Sequence, residues 1–99
     1  MGYDVVFPSE RVERSFQNTL AKIPADYQAA IAAAIRSSAN NPRPEGKRTK
    51  RLTGQIIVSQ FIAQYRLRVG PYRLLYDIDD QERKVVLLKL TKRDEHTYT

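Results

Sequence analysis

Residues 61–78 read FIAQYRLRVGPYRLLYDI, and the period of this stretch decides the fold. Phe61, Ala63, Tyr65, Leu67 and Val69 alternate with Ile62, Gln64, Arg66 and Arg68, the period of two that marks a strand with unlike faces. Gly70-Pro71 turns the chain, and the alternation resumes with Tyr72, Leu74, Tyr76 and Ile78 against Arg73, Leu75 and Asp77. Read as a hairpin, the two strands share one apolar, tyrosine-rich face. On the other face stand Arg66, Arg68 and Arg73.

Working outward, Asp79 to Glu82 form a second turn, and a third strand runs from Arg83 or Lys84 to Leu90. It is apolar on both faces in its middle, which places it inside the sheet. Three strands joined by short turns make an antiparallel meander. Gln55 to Val58 also read as extended, with no evident partner. Upstream, Tyr3 to Phe7 is a short strand, ended by Pro8-Ser9, and Ser9 is a good cap for a helix over Glu10 to Lys22. Val12, Phe16, Leu20 and Ile23 form its apolar stripe. After Pro24 a second, alanine-rich helix restarts at Ala25 or Asp26, with Tyr27, Ile31, Ala34 and Ile35 as its stripe. So short a break implies a helical hairpin. The expected architecture is α+β, in the order β-α-α-β-β-β: a curved antiparallel sheet with the hairpin packed on one face, as a single domain over residues 1–99.

The chain has 99 residues and a net charge of +6. Arg11, Arg14, Lys22 and Arg36 cancel Asp4, Glu10, Glu13 and Asp26 within residues 1–42, so the whole excess lies downstream. A basic half beside a neutral half suits phosphate or an acidic partner. No cysteine is present, which excludes disulfides and thiolate metal sites. The N-terminus lacks the charged and apolar regions of a signal peptide, and no stretch reaches the ~18 apolar residues of a membrane span. The expected location is the cytoplasm.

Three arginines share one sheet face, and residues 55–76 contain no carboxylate to neutralise them. Like charges so placed are mutually unfavourable, and a bound polyanion relieves them. Arg43 to Arg51 adds Arg43, Lys47, Arg48, Lys50 and Arg51 in what reads as a loop, either a solvated charged segment or a clamp for phosphates. Lys92 follows the third strand. Near the end, Tyr98 could stack on an unpaired base or close the edge of the core. His96, the one histidine, is the side chain whose unperturbed pKa suits proton transfer near neutral pH. No metal-ligand cluster, phosphate loop or nucleophile elbow is present, and no cofactor is expected.

The phrases NPRPEG at 41–46, RLTG at 51–54, YRLRVGPYRLLY at 65–76, and Lys92-Arg93 with Tyr98 together resemble the RelE/ParE toxin superfamily of type II toxin–antitoxin systems, most of all its RelE branch. The resemblance spans nearly the whole chain. It implies a ribosome-dependent endoribonuclease, an mRNA interferase silenced by a cognate antitoxin, in which a ribose 2′-hydroxyl attacks the adjacent phosphate without a metal. It further implies that Arg73, Arg93 and Tyr98 are catalytic, with Arg66 and His96 as further candidates. Arg43, Lys47, Arg48, Lys50, Arg51, Arg68 and Lys92 would bind RNA. That branch carries two lysines where this chain reads Gln64 and Arg66, which leaves the proton acceptor to His96, Lys89, Lys92 or the ribosome. The alternatives are a ParE-like inhibitor of DNA gyrase that performs no phosphodiester chemistry, and a weakened homologue that only binds RNA or antitoxin. In each case an acidic or amphipathic antitoxin segment is expected across the basic face.

Overall fold

The computed structural model describes residues 2–42 and 49–92, with the backbone course alone at 49–51 and 53–55. Its elements are β1 (Asp4–Val6), α1 (Glu10–Ala21), α2 (Ala25–Asn40), β2 (Thr49–Val58), β3 (Phe61–Val69), β4 (Tyr72–Asp79) and β5 (Lys84–Lys92). The sheet has the order β1-β5-β4-β3-β2. The fold is α+β, with the expected helical hairpin and antiparallel meander. Two features correct the expectation. β1 runs parallel to β5, pairing Asp4 with Lys84 through Val6 with Val86, so the sheet is mixed. β2 adds an antiparallel strand beside β3 and includes Thr49–Arg51, which the sequence reading assigns to a loop. Its register shifts between Arg51 and Ile56, and that irregularity removes the alternation by which the strand would be recognised.

The helices begin and end for local reasons. Ser9 caps α1, its hydroxyl accepting from the Val12 amide at 3.2 Å, while Glu10 and Glu13 sit favourably in the first turn. Gln28 ties the hairpin together: its amide donates to the carbonyls of Leu20 and Ile23, both at 2.9 Å, the first of which also accepts from the Ile23 amide at 3.1 Å. Val12, Phe16 and Ile23 are buried, Leu20 packs at their edge, and Phe7 meets Phe16 edge-on with centroids 5.2 Å apart. In α2, Ile31 is fully buried and Ala34 and Ile35 pack beside it.

These side chains meet the sheet face formed by Leu67, Val69, Tyr72, Leu74, Tyr76, Val85, Leu87 and Leu90. Each fully buried aliphatic side chain of this kind contributes ~1.5–3 kcal/mol. The strand tyrosines pack in the core, as expected: Tyr65 and Tyr76 stack at 5.6 Å, and the buried Tyr76 hydroxyl donates to the Pro42 carbonyl at 2.8 Å. Gly70 opens the two-residue loop between β3 and β4 with φ +57°, the first position of a type II′ hairpin turn. Tyr27 lies beside it and is more exposed than its place in the stripe suggests, meeting Tyr72 edge-on at 5.4 Å.

A second, smaller apolar cluster of Ala63, Leu75 and Leu88, with Leu52, Ile56, Val58, Phe61 and Val86 around it, lies on the side away from the helices. Phe61 and Ala63 therefore leave the face they were expected to share with Tyr65. The β3–β4 ladder ends at the Tyr65–Tyr76 pair, and the alternation of β3 breaks there. On β5 the register shifts between the Leu75–Lys89 and Tyr76–Leu87 pairs, leaving Leu88 as the additional residue. This bulge lets β5 send Leu87 and Leu90 to the helices and Leu88 to the second cluster.

Candidate nucleic-acid interface

Directly opposed residues of an antiparallel pair lie on one face, about 5 Å apart at Cβ. Arg68 opposes Arg73 across β3 and β4, and Arg73 opposes Thr91 across β4 and β5. A second row, two residues or about 7 Å along the strands, runs from Lys50 on β2 through Arg66 and Leu75 to Lys89. Both rows lie on the side away from the helices, because Leu74 and Tyr76, which alternate with Arg73 and Leu75, point into the main core. The face is divided. One end is cationic and the other is the second apolar cluster, with Leu75 at the boundary.

The cationic end is dense and partly dry. Arg66, Arg68, Arg73 and Lys89 are each half-buried. The Nε atoms of Arg66 and Arg68 are buried and make no hydrogen bond. Thr91 is 2% exposed, and its hydroxyl oxygen is likewise buried without a partner. Asp77, the next carboxylate along β4, turns its Oδ1 to the Ile78 amide at 2.9 Å. Buried donors without acceptors are costly, about 1–3 kcal/mol each. Donors of this kind, gathered on a cationic surface, suit an oxyanion.

The structure thus brings Arg66, Arg68 and Arg73 together as the alternation predicts. Lys50 joins them in register, while Arg51 pairs with Tyr65, whose ring lies on the helix side. Lys92 is exposed and pairs with Tyr72, at a register position of the helix-packed face, and so stands apart from the rows. Arg43, Lys47, Arg48, Arg93, His96 and Tyr98 lie outside the described residues. Gln64 is exposed where β3 parts from β4, in an open groove lined also by Asp77, Asp79 and Asp80, rather than in either row. The sequence reading misses Thr91 as part of the site because it ends the third strand at Leu90. Carrying the alternation one residue further would have placed Thr91 beside Arg73.

A family model described as the ParE toxin of the type II toxin–antitoxin system, parDE, matches residues 11–96. The chain belongs to the ParE toxin family. Similar solved structures lie in the wider RelE/ParE superfamily. The archaeal RelE–RelB complex from Pyrococcus horikoshii aligns at TM-score 0.72 and 22% identity, over 96% of this chain and 99% of that one. The Mycobacterium tuberculosis toxin–antitoxin complex RelBE2 aligns at 0.67 and 26%, over 94% and 100%. A mutant Escherichia coli RelE in the free state aligns at 0.61 and 21%, over 95% and 86%. No curated protein sequence matches the chain significantly. The superfamily resemblance read from the strand phrases is therefore shown, with a ParE family model and RelE-like folds side by side. Among the described residues of this ParE-family toxin, no helix is long and apolar enough to cross a membrane.

Proposed function

We propose that this toxin is a ribosome-dependent endoribonuclease that cleaves messenger RNA in the cytoplasm without a metal. The observation that carries the reading is the row of Arg68 and Arg73 beside Arg66: half-buried cations, the buried Nε donors of Arg66 and Arg68 unsatisfied, and no carboxylate within residues 55–76. In the reaction the ribose 2′-oxygen bonds to phosphorus and the bond to the 5′-oxygen breaks. The 2′-hydroxyl gives up its proton, the leaving 5′-oxygen takes one up, and a 2′,3′-cyclic phosphate and a free 5′-hydroxyl result. Guanidinium groups stay charged and offer a planar fork of donors, so the rows would stabilise the extra negative charge on the pentacoordinate phosphorus. They exchange protons poorly, because a guanidinium keeps its proton throughout the physiological range. Proton transfer then falls to Lys89 at the edge of the second row, to His96, or to a ribosomal group; Lys92, at a register position of the other face, is set aside for this role. Arg93 and Tyr98 complete the proposed set, with Arg43, Lys47, Arg48 and Lys50 holding the RNA backbone.

Two of the similar structures are complexes with an antitoxin, which supports a cognate antitoxin as partner here. An acidic or amphipathic segment would cross the rows, and mass spectrometry after co-purification with the neighbouring gene product checks this. Finding the toxin alone with that product present counts against it.

In a translating extract with tagged message, cuts should appear at fixed positions within codons, and Arg73→Ala should lose them. Intact message at full ribosome occupancy rejects the nuclease. A second reading, inhibition of DNA gyrase, draws on the ParE family model and on Gln64 standing where the RelE branch has lysine. A supercoiling assay with the purified chain separates the two: inhibition there without RNA cleavage decides for gyrase.

A further inference from the structure

Thr91 is the residue of the cationic end that charge does not explain. It sits on an interior strand, 2% exposed, directly across from Arg73, which is itself directly across from Arg68. Its hydroxyl is buried and makes no hydrogen bond. Valine would fill the same space and keep the β-branch that suits a strand, without carrying a dry hydroxyl. Its cross-strand neighbour on β4 is cationic and could only donate to Oγ1, which takes no hydrogen bond, so the hydroxyl proton is left without an acceptor. Arg68, one strand further along the row, keeps an unsatisfied Nε donor. A neutral donor and a cationic donor stand in the same row on either side of Arg73, both lacking acceptors, and the oxygens of a phosphate could supply them.

We infer that Thr91 is a phosphate ligand: its Oγ1 donates to a non-bridging oxygen of the bound RNA, beside the Nε–H of Arg68. The inference rests on the proposed RNA-directed function and assigns one subsite within it. Oγ1 is buried in the ligand-free chain, so this contact requires a neighbouring side chain to move aside when the phosphate binds.

The test compares the full-length wild-type chain with Thr91→Val and Thr91→Ser. Each is titrated with a short single-stranded RNA over a range of salt, and each is melted with and without inorganic phosphate. Thr91→Val should melt higher than wild type without ligand, because a dry hydroxyl has been removed. It should bind the RNA about tenfold more weakly, the loss expected for one hydrogen bond to a charged group. The slope of log affinity against log salt should stay unchanged, because no charge is lost. Phosphate should raise the melting temperature of wild type more than that of Thr91→Val, and Thr91→Ser should recover most of the affinity. A Thr91→Val variant that binds within twofold of wild type, while Arg73→Ala does not, overturns the subsite and leaves the RNA reading standing. One that melts lower than wild type shows the hydroxyl to be structural and also overturns the subsite. A wild-type chain that binds no RNA overturns both.

Discussion

Arg68→Leu should make the protein more stable and its grip on RNA weaker. Arg68 stands directly opposite Arg73, and like charges so placed cost roughly 0.2–1 kcal/mol. Its buried Nε has no acceptor, an omission of about 1–3 kcal/mol. Leucine keeps much of the apolar stem that the arginine packs. Allowing for the packing that the shorter side chain gives up beyond that stem, the net gain is about 1–2 kcal/mol. For a domain of this length each kcal/mol moves Tm by about 4–8 °C, so the shift is readily measured by thermal or urea unfolding. RNA affinity, followed by anisotropy across a salt series, should fall, and the slope of log affinity against log salt should decrease by about 0.7 for the missing phosphate contact. Arg36→Gln, on an exposed position of α2, serves as the control: stability within about 0.5 kcal/mol and an unaltered slope. A less stable Arg68→Leu with the wild-type salt slope would refute the reasoning and make Arg68 a structural residue.

Gly70→Ala should cost about 2–3 kcal/mol in urea unfolding, from the left-handed backbone and the displaced ring; the φ is +57° and the new Cβ would lie 2.5 Å from Tyr27 Cε1. In a Tyr27→Ala background only the backbone part, about 1–2 kcal/mol, should remain, and an equal cost in both backgrounds would show the ring to be irrelevant. Tyr76→Phe removes the donor to the buried Pro42 carbonyl and should destabilise by about 1–3 kcal/mol. A loss below about 0.5 kcal/mol would mean that this bond contributes little to the fold. Ser9→Ala should cost about 1 kcal/mol through the missing cap, with Ser9→Asp retaining the wild-type midpoint.

What is legible in the sequence is whatever one periodicity governs alone. The β3–β4 hairpin, the stripe of Val12, Phe16 and Ile23, and the packed tyrosines follow from alternation and helical spacing, and they stand as read. The arginine face follows from the same alternation, since Arg66, Arg68 and Arg73 fall where the ladder is regular. The failures sit at irregularities. β2 reads as extended only from Gln55 because its register shifts between Arg51 and Ile56. Alternation assigns Phe61 and Ala63 to the helix side, and it misplaces them because β3 changes its alternation after the ladder to β4 ends. β1 offers no sign of its partner, because a three-residue strand carries too little pattern to specify pairing, and its parallel neighbour is nearly eighty residues away. Thr91 lies one step of alternation beyond the strand end as read, but its burial and its missing partner are properties of neighbouring strands together.

The two faces of the sheet therefore answer to opposite demands. On the helix side nearly every position is apolar and filled, which is where the stability of a small domain must come from. On the other side Arg66, Arg68, Arg73 and Lys89 sit together half-buried, an arrangement that opposes folding through like charge and through the unmet Nε donors of Arg66 and Arg68. The Leu88 bulge reconciles them, since it allows β5 to contribute to the core, to the second apolar cluster and to the cationic rows within a few residues. A bound molecule that is anionic along its length would relieve the repulsion among the arginines of the cationic end. On the proposed reading both an RNA backbone and an acidic antitoxin segment answer that description, and both would use the same guanidinium groups. Each would then exclude the other by occupancy, so an antitoxin could silence the toxin without changing its shape.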